Sequence, residues 1–202
     1  MTHDLALSCL TFDVTIHFME YLDICDENGQ PTGETVAREI AHRDGIRHRT
    51  AHVWVVRKEG GKYEILLQKR SMEKESFPGK YDTSSAGHIP AGSEPLPSAL
   101  RELEEELGIM ASPGQLTFAG KFRIQYEKIF YGKPFRDNEV TWVYVYREPV
   151  DINTLTLQES EVDEVRWFDP EEVRTEIQTS RERFCVPAQG LEVLMRFLQS
   201  EG

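Results

Sequence analysis

Three glutamates near the middle of the chain have the residue type and the spacing of ligands for a hard divalent cation. Glu102, Glu105 and Glu106 lie within residues 101–109, and positions three and four apart share one face of a helix. Carboxylates this close repel one another, and magnesium removes that repulsion while it keeps waters and substrate phosphates in its shell. The spacing therefore predicts a helix with a magnesium-binding face.

The same segment contains the residues that would position this helix. Leu103 and Leu107 fall on a second face, which the helix can bury. Arg101 can pair with Glu105 across one turn, and Gly108 is expected to end the helix, as glycine commonly does. Taken alone, a glutamate run is more often a solvated acidic face, so the metal-binding interpretation depends on what surrounds it.

The stretch from Gly87 to Ile109 resembles the Nudix box, the signature of hydrolases that cleave a diphosphate linked to another moiety. That pattern is a glycine, five residues, a glutamate, seven residues and then Arg-Glu-apolar-any-Glu-Glu-any-Gly-apolar. The positions that fit it are Gly87, Arg101, Glu102, Leu103, Glu105, Glu106, Gly108 and Ile109. Ser93 is the one departure, since it stands where the pattern has a glutamate that mostly braces the loop.

The resemblance implies a divalent-metal-dependent hydrolase of a small organic diphosphate, with Mg²⁺ or Mn²⁺ as the cofactor. A metal-bound water would attack a phosphorus atom, and the family takes its proton with a glutamate at either of two places. The expected metal ligands are Gly87, Glu102, Glu105, Glu106 and Glu139, and the expected catalytic residues are Glu105, Glu139 and Arg101.

Basic residues upstream of the acidic helix are candidates for binding the diphosphate. Arg70 and Lys74 stand four apart after a predicted strand, and Lys69 directly precedes them. Such charges are usually just exposed strand ends. Ahead of an acidic metal helix, however, Arg70 offers bidentate contacts and Lys74 a point charge to a diphosphate.

Five other residues resemble the metal ligands of type I isopentenyl-diphosphate isomerases, a branch of the same superfamily. Those enzymes hold a divalent metal with three histidines and two acidic side chains, in the order His, His, Gly-His and Glu-Asn-Glu. The matching residues here are His42, His48, His88, Asp137 and Glu139. The resemblance implies a second metal site, with Asp137 in place of a glutamate, and adds Arg38 as a basic residue four positions before His42.

One position separates the chain from those isomerases. They carry a cysteine directly before the Gly-His pair, where it moves a proton on carbon, and this chain has Ala86, which cannot transfer a proton. Residues 19–183 also resemble the Nudix domain of plant proteins fused to a dipeptidyl-peptidase III-like module, which implies hydrolysis of isopentenyl or another isoprenyl diphosphate. The alternatives are a nucleoside diphosphate derivative as substrate, an isomerase-like enzyme, and a non-catalytic Nudix-like binding or sensor domain.

The expected fold is α+β or an α/β/α sandwich, because strands and helices mix without a regular βαβ rhythm. The Nudix resemblance implies the sandwich, with a mixed sheet between helices. Residues 21–25 and 34–42 predict a hairpin around Asn28-Gly29. We expect residues 19–202 to form the Nudix domain and residues 1–18 to be a loosely ordered extension.

Composition limits the partners. The chain has 202 residues and a net charge of −12, which argues against nucleic acid as a partner. Cys9, Cys25 and Cys185 are widely spaced, as reduced thiols of a cytoplasmic protein would be, and no apolar run reaches the length of a membrane span. The expected partner is a small-molecule diphosphate, and a homodimer remains open.

We predict that a chain starting at Met19 melts within a few degrees of the full chain, because residues 1–18 precede the first hairpin signal. Thermal unfolding followed by circular dichroism measures the difference. A loss of more than about 2 kcal/mol would show that the segment packs against the domain.

Overall fold

The computed structural model describes residues 19–201. The predicted extension, residues 1–18, lies outside this range, as does the last residue of the predicted domain. The described part begins with a hairpin in which β1 (Tyr21–Cys25) pairs antiparallel with β2 (Pro31–Ala37). The Asp26 carboxylate closes the turn by accepting hydrogen bonds from the backbone N–H groups of Asn28 and Gln30, at 2.8 and 2.9 Å. The predicted hairpin is confirmed in its first strand and turn.

The predicted second strand, residues 34–42, is wrong in its second half. Residues Arg38–Asp44 form helix α1, which Gly45 ends with a left-handed φ of 70°. The helix buries the adjacent residues Ala41 and His42 together, whereas a strand would point neighbouring side chains to opposite faces. Burial of both side chains therefore favours the helix at this place.

Within the described residues, the main sheet has seven strands of mixed direction. They are β3 (His48–Glu59), β4 (Lys62–Arg70), β5 (Tyr81–Asp82), β6 (Ser85–His88), β7 (Leu116–Phe130), β8 (Lys133–Tyr146) and β9 (Val162–Phe168). The order is β5-β4-β3-β8-β7, with β6 on β3 and β9 on β4. Only β3 and β8 run parallel among these strand pairs of residues 48–168. The central strand β3 thus contacts β4, β6 and β8.

Helices cover both faces of this sheet. They are α2 (Pro95–Leu107), α3 (Pro170–Thr179) and α4 (Ala188–Ser200). Because side chains of a strand alternate between faces, Val55 of β3 packs in one core with Leu103 of α2. Its neighbour Trp54 packs in the other core with Leu194 of α4. None of the helices in residues 19–201 is long and apolar enough to cross a membrane. The predicted α/β/α sandwich with a mixed sheet is confirmed.

β7 and β8 form a long hairpin whose far end extends beyond the rest of the sheet. The parallel pairing of β3 with β8 starts at His48 and Glu139, so residues 133–138 of β8 pair with β7 alone. Tyr131 and Gly132 at the turn both have positive φ, 49° and 76°, as the type I′ turn of a two-residue hairpin requires. Strand β8 of this hairpin contacts α1.

Candidate functional site

Glu106 is the buried member of the acidic group on α2, with 4% of its surface exposed. Its Oε2 atom accepts hydrogen bonds from the side-chain amide of Gln68 and from the backbone N–H of Ala86, each at 3.1 Å. Glu102 is half-buried, and Glu105 lies at the helix surface. The three predicted carboxylates thus line one side of α2 at three depths.

Gly87 lies directly against this acidic side. A Cβ atom at position 87 would stand 2.1 Å from Cδ of Glu102. Glycine therefore leaves the Glu102 carboxylate in its present place, whereas a larger residue would displace it. The predicted role of the Gly87 carbonyl as a metal ligand stays a prediction, and this contact explains why the residue lies beside Glu102.

Arg101 bridges two of the glutamates. Its Nη1 atom donates to Oε2 of Glu105 at 2.7 Å, and its Nη2 atom donates to Oε1 of Glu102 at 2.6 Å. The predicted pairing of Arg101 with Glu105 across one turn is present in the structure. Since both carboxylates share one guanidinium, their side chains are oriented before any ligand arrives.

Burial raises the pKa of two of these carboxylates. It raises the pKa of Glu106 from its ordinary value of 4.5 to about 8, and the charge of Glu102 adds to the effect. Burial also raises the pKa of Glu102, although the adjacent Arg101 opposes it. A cation bound between these groups would favour their ionised forms, so the arrangement fits a divalent metal.

A second group of donors, which we call the histidine–acid cluster, consists of His42, His48, His88, Asp137 and Glu139. Donor atoms of the three histidines lie within 4.8 Å of one another, and so do those of His48, Asp137 and Glu139. Pairing of β3 with β8 sets His48 opposite Glu139, while α1 contributes His42 and the end of β6 contributes His88. All five residues predicted for the second site therefore come together.

Several atoms of this cluster are buried and have no hydrogen-bond partner. They are Nδ1 of His42, Nε2 of His48 and Oδ1 of Asp137. Nδ1 of His48 lies 2.8 Å from the carbonyl oxygen of Ile46, to which it donates when it carries the proton, and this leaves the lone pair on Nε2 free for a metal. Unpaired buried polar atoms cost stability, and a divalent cation would satisfy them, so the donors fit a metal site.

Two histidines of the cluster, His42 and His88, are held in the neutral form that binds metals. Burial lowers the pKa of His42 to about 4, and the charge of His48 contributes to the shift. Burial also lowers the pKa of His88 well below its ordinary value, with further contributions from Arg38 and Lys74. Neutral imidazole is the metal-ligating form, and the two cations named here act on the cluster from nearby.

The two donor sets adjoin each other, and they differ in compactness. Gly87 contacts the glutamates of α2, and the next residue, His88, belongs to the histidine–acid cluster. Within residues 19–201, the sets of three potential ligands whose donor atoms lie within 4.8 Å of one another both belong to the histidine–acid cluster. One cation held by all three glutamates of α2 would draw their oxygens closer than they are in this structure.

Arg70 is engaged by its own neighbourhood. Its Nε atom donates to the carbonyl oxygen of Ser76 at 2.9 Å, and its Nη1 atom donates to Asp82 at 3.4 Å. The guanidinium therefore holds the loop of residues 71–80 in place. Direct contact between Arg70 and a diphosphate stays a prediction, and it would require one of these bonds to yield.

Two of the other basic residues predicted to bind the substrate are paired with acidic side chains. Lys74 forms an ion pair with Glu161, and Arg38 forms one with Glu20 at 3.0 Å. Lys69 is half-exposed on β4. An incoming diphosphate would compete with these carboxylates, so binding and the release of an ion pair are coupled.

The sequence did not predict the roles of Gln68 and Thr50, which position the acidic side chains of Glu106 and Glu139. Gln68 is 2% exposed on β4 and orients Glu106. The hydroxyl of Thr50 donates to Oε2 of Glu139 at 3.1 Å. A buried polar side chain directly after the apolar residues 65–67 of β4 was the available signal for Gln68, whereas Thr50 needed the pairing of β3 with β8.

Comparisons with a family profile and with individual proteins match this chain to the same family. The profile of the NUDIX domain matches residues 46–185. Nudix hydrolase 3 of Arabidopsis thaliana is 40% identical over 157 residues, which are 77% of this chain and 20% of that protein. An uncharacterized Nudix hydrolase of Clostridium acetobutylicum is 41% identical over 143 residues, which are 71% of this chain and 66% of that one. The chain thus spans less than two thirds of the length of both relatives.

A third relative and two solved structures extend the comparison. The uncharacterized Nudix hydrolase YfcD of Salmonella typhi is 34% identical over 155 residues, 76% of this chain and 74% of that protein. A protein of Deinococcus radiodurans has a TM-score of 0.63 at 17% identity, over 87% of this chain and 98% of that one. An Ap4A hydrolase of C. elegans has a TM-score of 0.52 at 24% identity, over 75% and 98%. At such identities the structural likeness shows a shared fold.

We predict that Glu106→Gln alters how the stability of the metal-free protein depends on pH. The folded wild type keeps Glu106 protonated up to about pH 8, whereas the unfolded chain releases this proton near pH 4.5, so the free energy of unfolding falls as the pH rises through this window. Glutamine has no such proton. The variant should exceed wild type by more than about 1 kcal/mol near pH 9 and match it near pH 4.

Urea unfolding in the presence of a chelator, at about pH 4, 6.5 and 9, measures this difference. Glu104→Gln is the matched control, because Glu104 is exposed on the same helix and should leave the profile unchanged. A wild-type protein that gains stability relative to Glu106→Gln between about pH 5 and 8 would contradict the prediction.

Proposed function

The chain belongs to the Nudix family, and on that basis we propose that it is a divalent-metal-dependent hydrolase of small organic diphosphates. Nudix domains generally use divalent metals. The observation that carries the proposal is the acidic side of α2, where Glu106 is buried and held by Gln68. A helix gains nothing from burying a carboxylate beside others, and a bound cation removes the cost.

The residues proposed to hold the metal are Glu102, Glu105 and Glu106, together with the carbonyl of Gly87. When bound, a Mg²⁺ or Mn²⁺ ion makes a water molecule more acidic and offsets the charge of the diphosphate. Arg101 keeps two of the carboxylates oriented. Arg101 thus orients two of the proposed ligands, and a cation held by all three glutamates would bring their carboxylates closer together.

The reaction we propose is attack of water on one phosphorus of the diphosphate. A P–O bond forms, the anhydride P–O bond breaks, and the leaving phosphate takes its electron pair. Glu105 and Glu139 are the two candidates to accept the proton of the water. Glu105 is paired with Arg101 at 2.7 Å, and Glu139 accepts a hydrogen bond from Thr50 at 3.1 Å. Lys74 and Arg70 would offset charge on the leaving phosphate.

We extend the proposal to the branch of the family that resembles isopentenyl-diphosphate isomerases and its plant members. The support is the histidine–acid cluster, in which five residues predicted from that resemblance come within metal-binding distance of their neighbours, and the 40% identity with the Arabidopsis protein. This branch favours an isoprenyl diphosphate as the substrate, and a nucleoside diphosphate derivative is the alternative.

Two rival functions are disfavoured by particular residues. Isomerisation requires a group that moves a proton on carbon, and position 86 carries an alanine whose backbone N–H already serves Glu106. A sensor domain without catalysis would be free to lose acids of the box, yet all three glutamates of α2 are retained. We therefore favour hydrolysis over both.

The proposal also covers the domain and its compartment. We propose residues 19–202 as the Nudix domain, which contains the matched region 46–185. Within the described residues, Cys25 and Cys185 are free thiols. Free thiols favour a reducing compartment, so we place the protein in the cytoplasm.

The experiment that tests the proposed function is chromatography of the products formed from a panel of diphosphates in the presence of Mg²⁺ or Mn²⁺. The panel contains methyl diphosphate, isopentenyl diphosphate and ADP-ribose. We predict metal-dependent hydrolysis of at least one compound and no dimethylallyl diphosphate among the products, because Ala86 cannot move a proton. Formation of dimethylallyl diphosphate at a catalytic rate would refute the hydrolase assignment.

We predict that Glu106→Gln lowers kcat by two orders of magnitude or more on the best substrate of this panel, since the buried charge that binds the metal is lost. Glu104→Gln serves as the control, because it removes the same charge from an exposed position of the same helix. Near-wild-type turnover of Glu106→Gln at saturating Mg²⁺ would contradict the proposal that the glutamates of α2 bind the metal.

A further inference from the structure

Four aromatic side chains, which we call the aromatic wall, lie together next to the histidine–acid cluster. The ring centroids of Phe77 and Phe130 are 4.9 Å apart, and those of Phe130 and Phe135 are 5.7 Å apart. Tyr126 joins the group at 6.0 Å from Phe77 and 6.3 Å from Phe135. Each of the four residues is only half-buried, so the wall presents apolar surface to whatever lies beside it.

The wall adjoins the histidine–acid cluster, which itself adjoins the proposed metal ligands of α2 through the end of β6. The ring of Phe135 stacks on that of His42, with centroids 4.3 Å apart and planes 17° apart. On the hairpin, Tyr126 pairs in register with Asp137, another member of the cluster. A substrate with its diphosphate at the metal ligands would therefore extend its organic group along the wall.

Phe77 is held in the wall at a conformational cost. Its φ of 49° lies in the left-handed region, which bulky side chains rarely adopt. The loop that carries it is fixed by Arg70, whose Nε and Nη2 atoms donate to the carbonyl and hydroxyl oxygens of Ser76 at 2.9 and 3.2 Å. Strain of this kind persists where the surroundings enforce it, and it concentrates at ligand-binding sites.

The chemistry of the wall favours a hydrocarbon. Apart from the hydroxyl of Tyr126, its side chains have no group that could hydrogen-bond to a base or a ribose. His42 covers one face of Phe135, and the ammonium of Lys128 lies 4.5 Å from the ring centre of Phe77. A flat purine thus finds fewer free ring faces on which to stack, whereas a branched aliphatic chain needs only apolar contact.

We propose that the aromatic wall binds the hydrocarbon part of the substrate, so that the protein prefers diphosphates of short alkyl or alkenyl alcohols to nucleoside diphosphate derivatives. This inference rests on the proposed function, since it takes the diphosphate to lie at the metal ligands. It makes Phe77 and Phe130 specificity-determining residues that act on the organic group alone.

The test is a chain-length series measured as binding and as turnover. Calorimetry with methyl, propyl and isopentenyl diphosphates and with ADP-ribose, in the presence of Mg²⁺, gives Kd for each compound. Full burial of a methylene corresponds to about a fourfold gain in affinity, so Kd should fall stepwise from methyl to isopentenyl diphosphate. Equal Kd values for methyl and isopentenyl diphosphate would overturn the inference.

Variants locate the effect on the wall. Phe77→Gly removes a ring and suits the positive φ, and Phe130→Ala removes a second ring. Each should raise Kd and KM for isopentenyl diphosphate about tenfold and leave the values for methyl diphosphate unchanged. Tyr131→Asn is the matched control, because it removes an exposed ring of the same hairpin at a turn position that asparagine tolerates.

The outcomes separate this inference from the proposed function. If Kd falls with chain length and no compound of the panel is hydrolysed, the proposed role of the aromatic wall is supported and the hydrolase assignment is refuted. If ADP-ribose is the best substrate and Kd does not fall from methyl to isopentenyl diphosphate, the hydrolase assignment is supported and the proposed role of the wall is refuted. Wild-type measurements alone decide between these results even where a variant does not fold.

Discussion

The site depends on a close approach of backbone to helix at Gly87. With a hydrogen in place of a side chain, β6 can lie so near α2 that a methyl group would fall within 2.1 Å of the Glu102 carboxyl carbon. The adjacent residues use that proximity, since Ala86 donates its N–H to Glu106 at 3.1 Å and His88 lies among the other histidines. Three consecutive residues of one short strand thus connect both donor sets.

This arrangement bears on how an acidic protein could bind the anionic ligand that we propose. Burial raises the pKa of Glu102 and Glu106, and two of the basic side chains proposed to bind the substrate are paired with acids outside α2. Lys74 and Glu161 form such a pair, as do Arg38 and Glu20. A metal and a diphosphate would therefore arrive at a site whose charges exchange partners on binding, so the ion pairs of the free protein keep the basic side chains near their proposed targets.

Sequence predicts those parts of the molecule whose determinants are local. The helix α2, its acidic side and its end at Gly108 follow from spacing within one short segment. The strand predicted for residues 38–42 is a helix instead, because burial of Ala41 and His42 together depends on the packed domain. The role of Gln68 and the partners of Arg70 likewise depend on which strands and loops become neighbours. Resemblance predicted the five cluster residues, but not the pairing of β3 with β8 that joins them.

That pairing also determines when the cluster can exist during folding. Thr50 and Thr141, which hydrogen-bond at 2.8 Å beside Glu139, are 91 residues apart in the chain. Parallel contacts of such long range form late, because the chain between them must first lose much of its freedom. A growing polypeptide therefore has no histidine–acid cluster until β8 has been synthesised and inserted beside β3. Metal uptake at this place would select completely folded molecules and draw the folding equilibrium toward them.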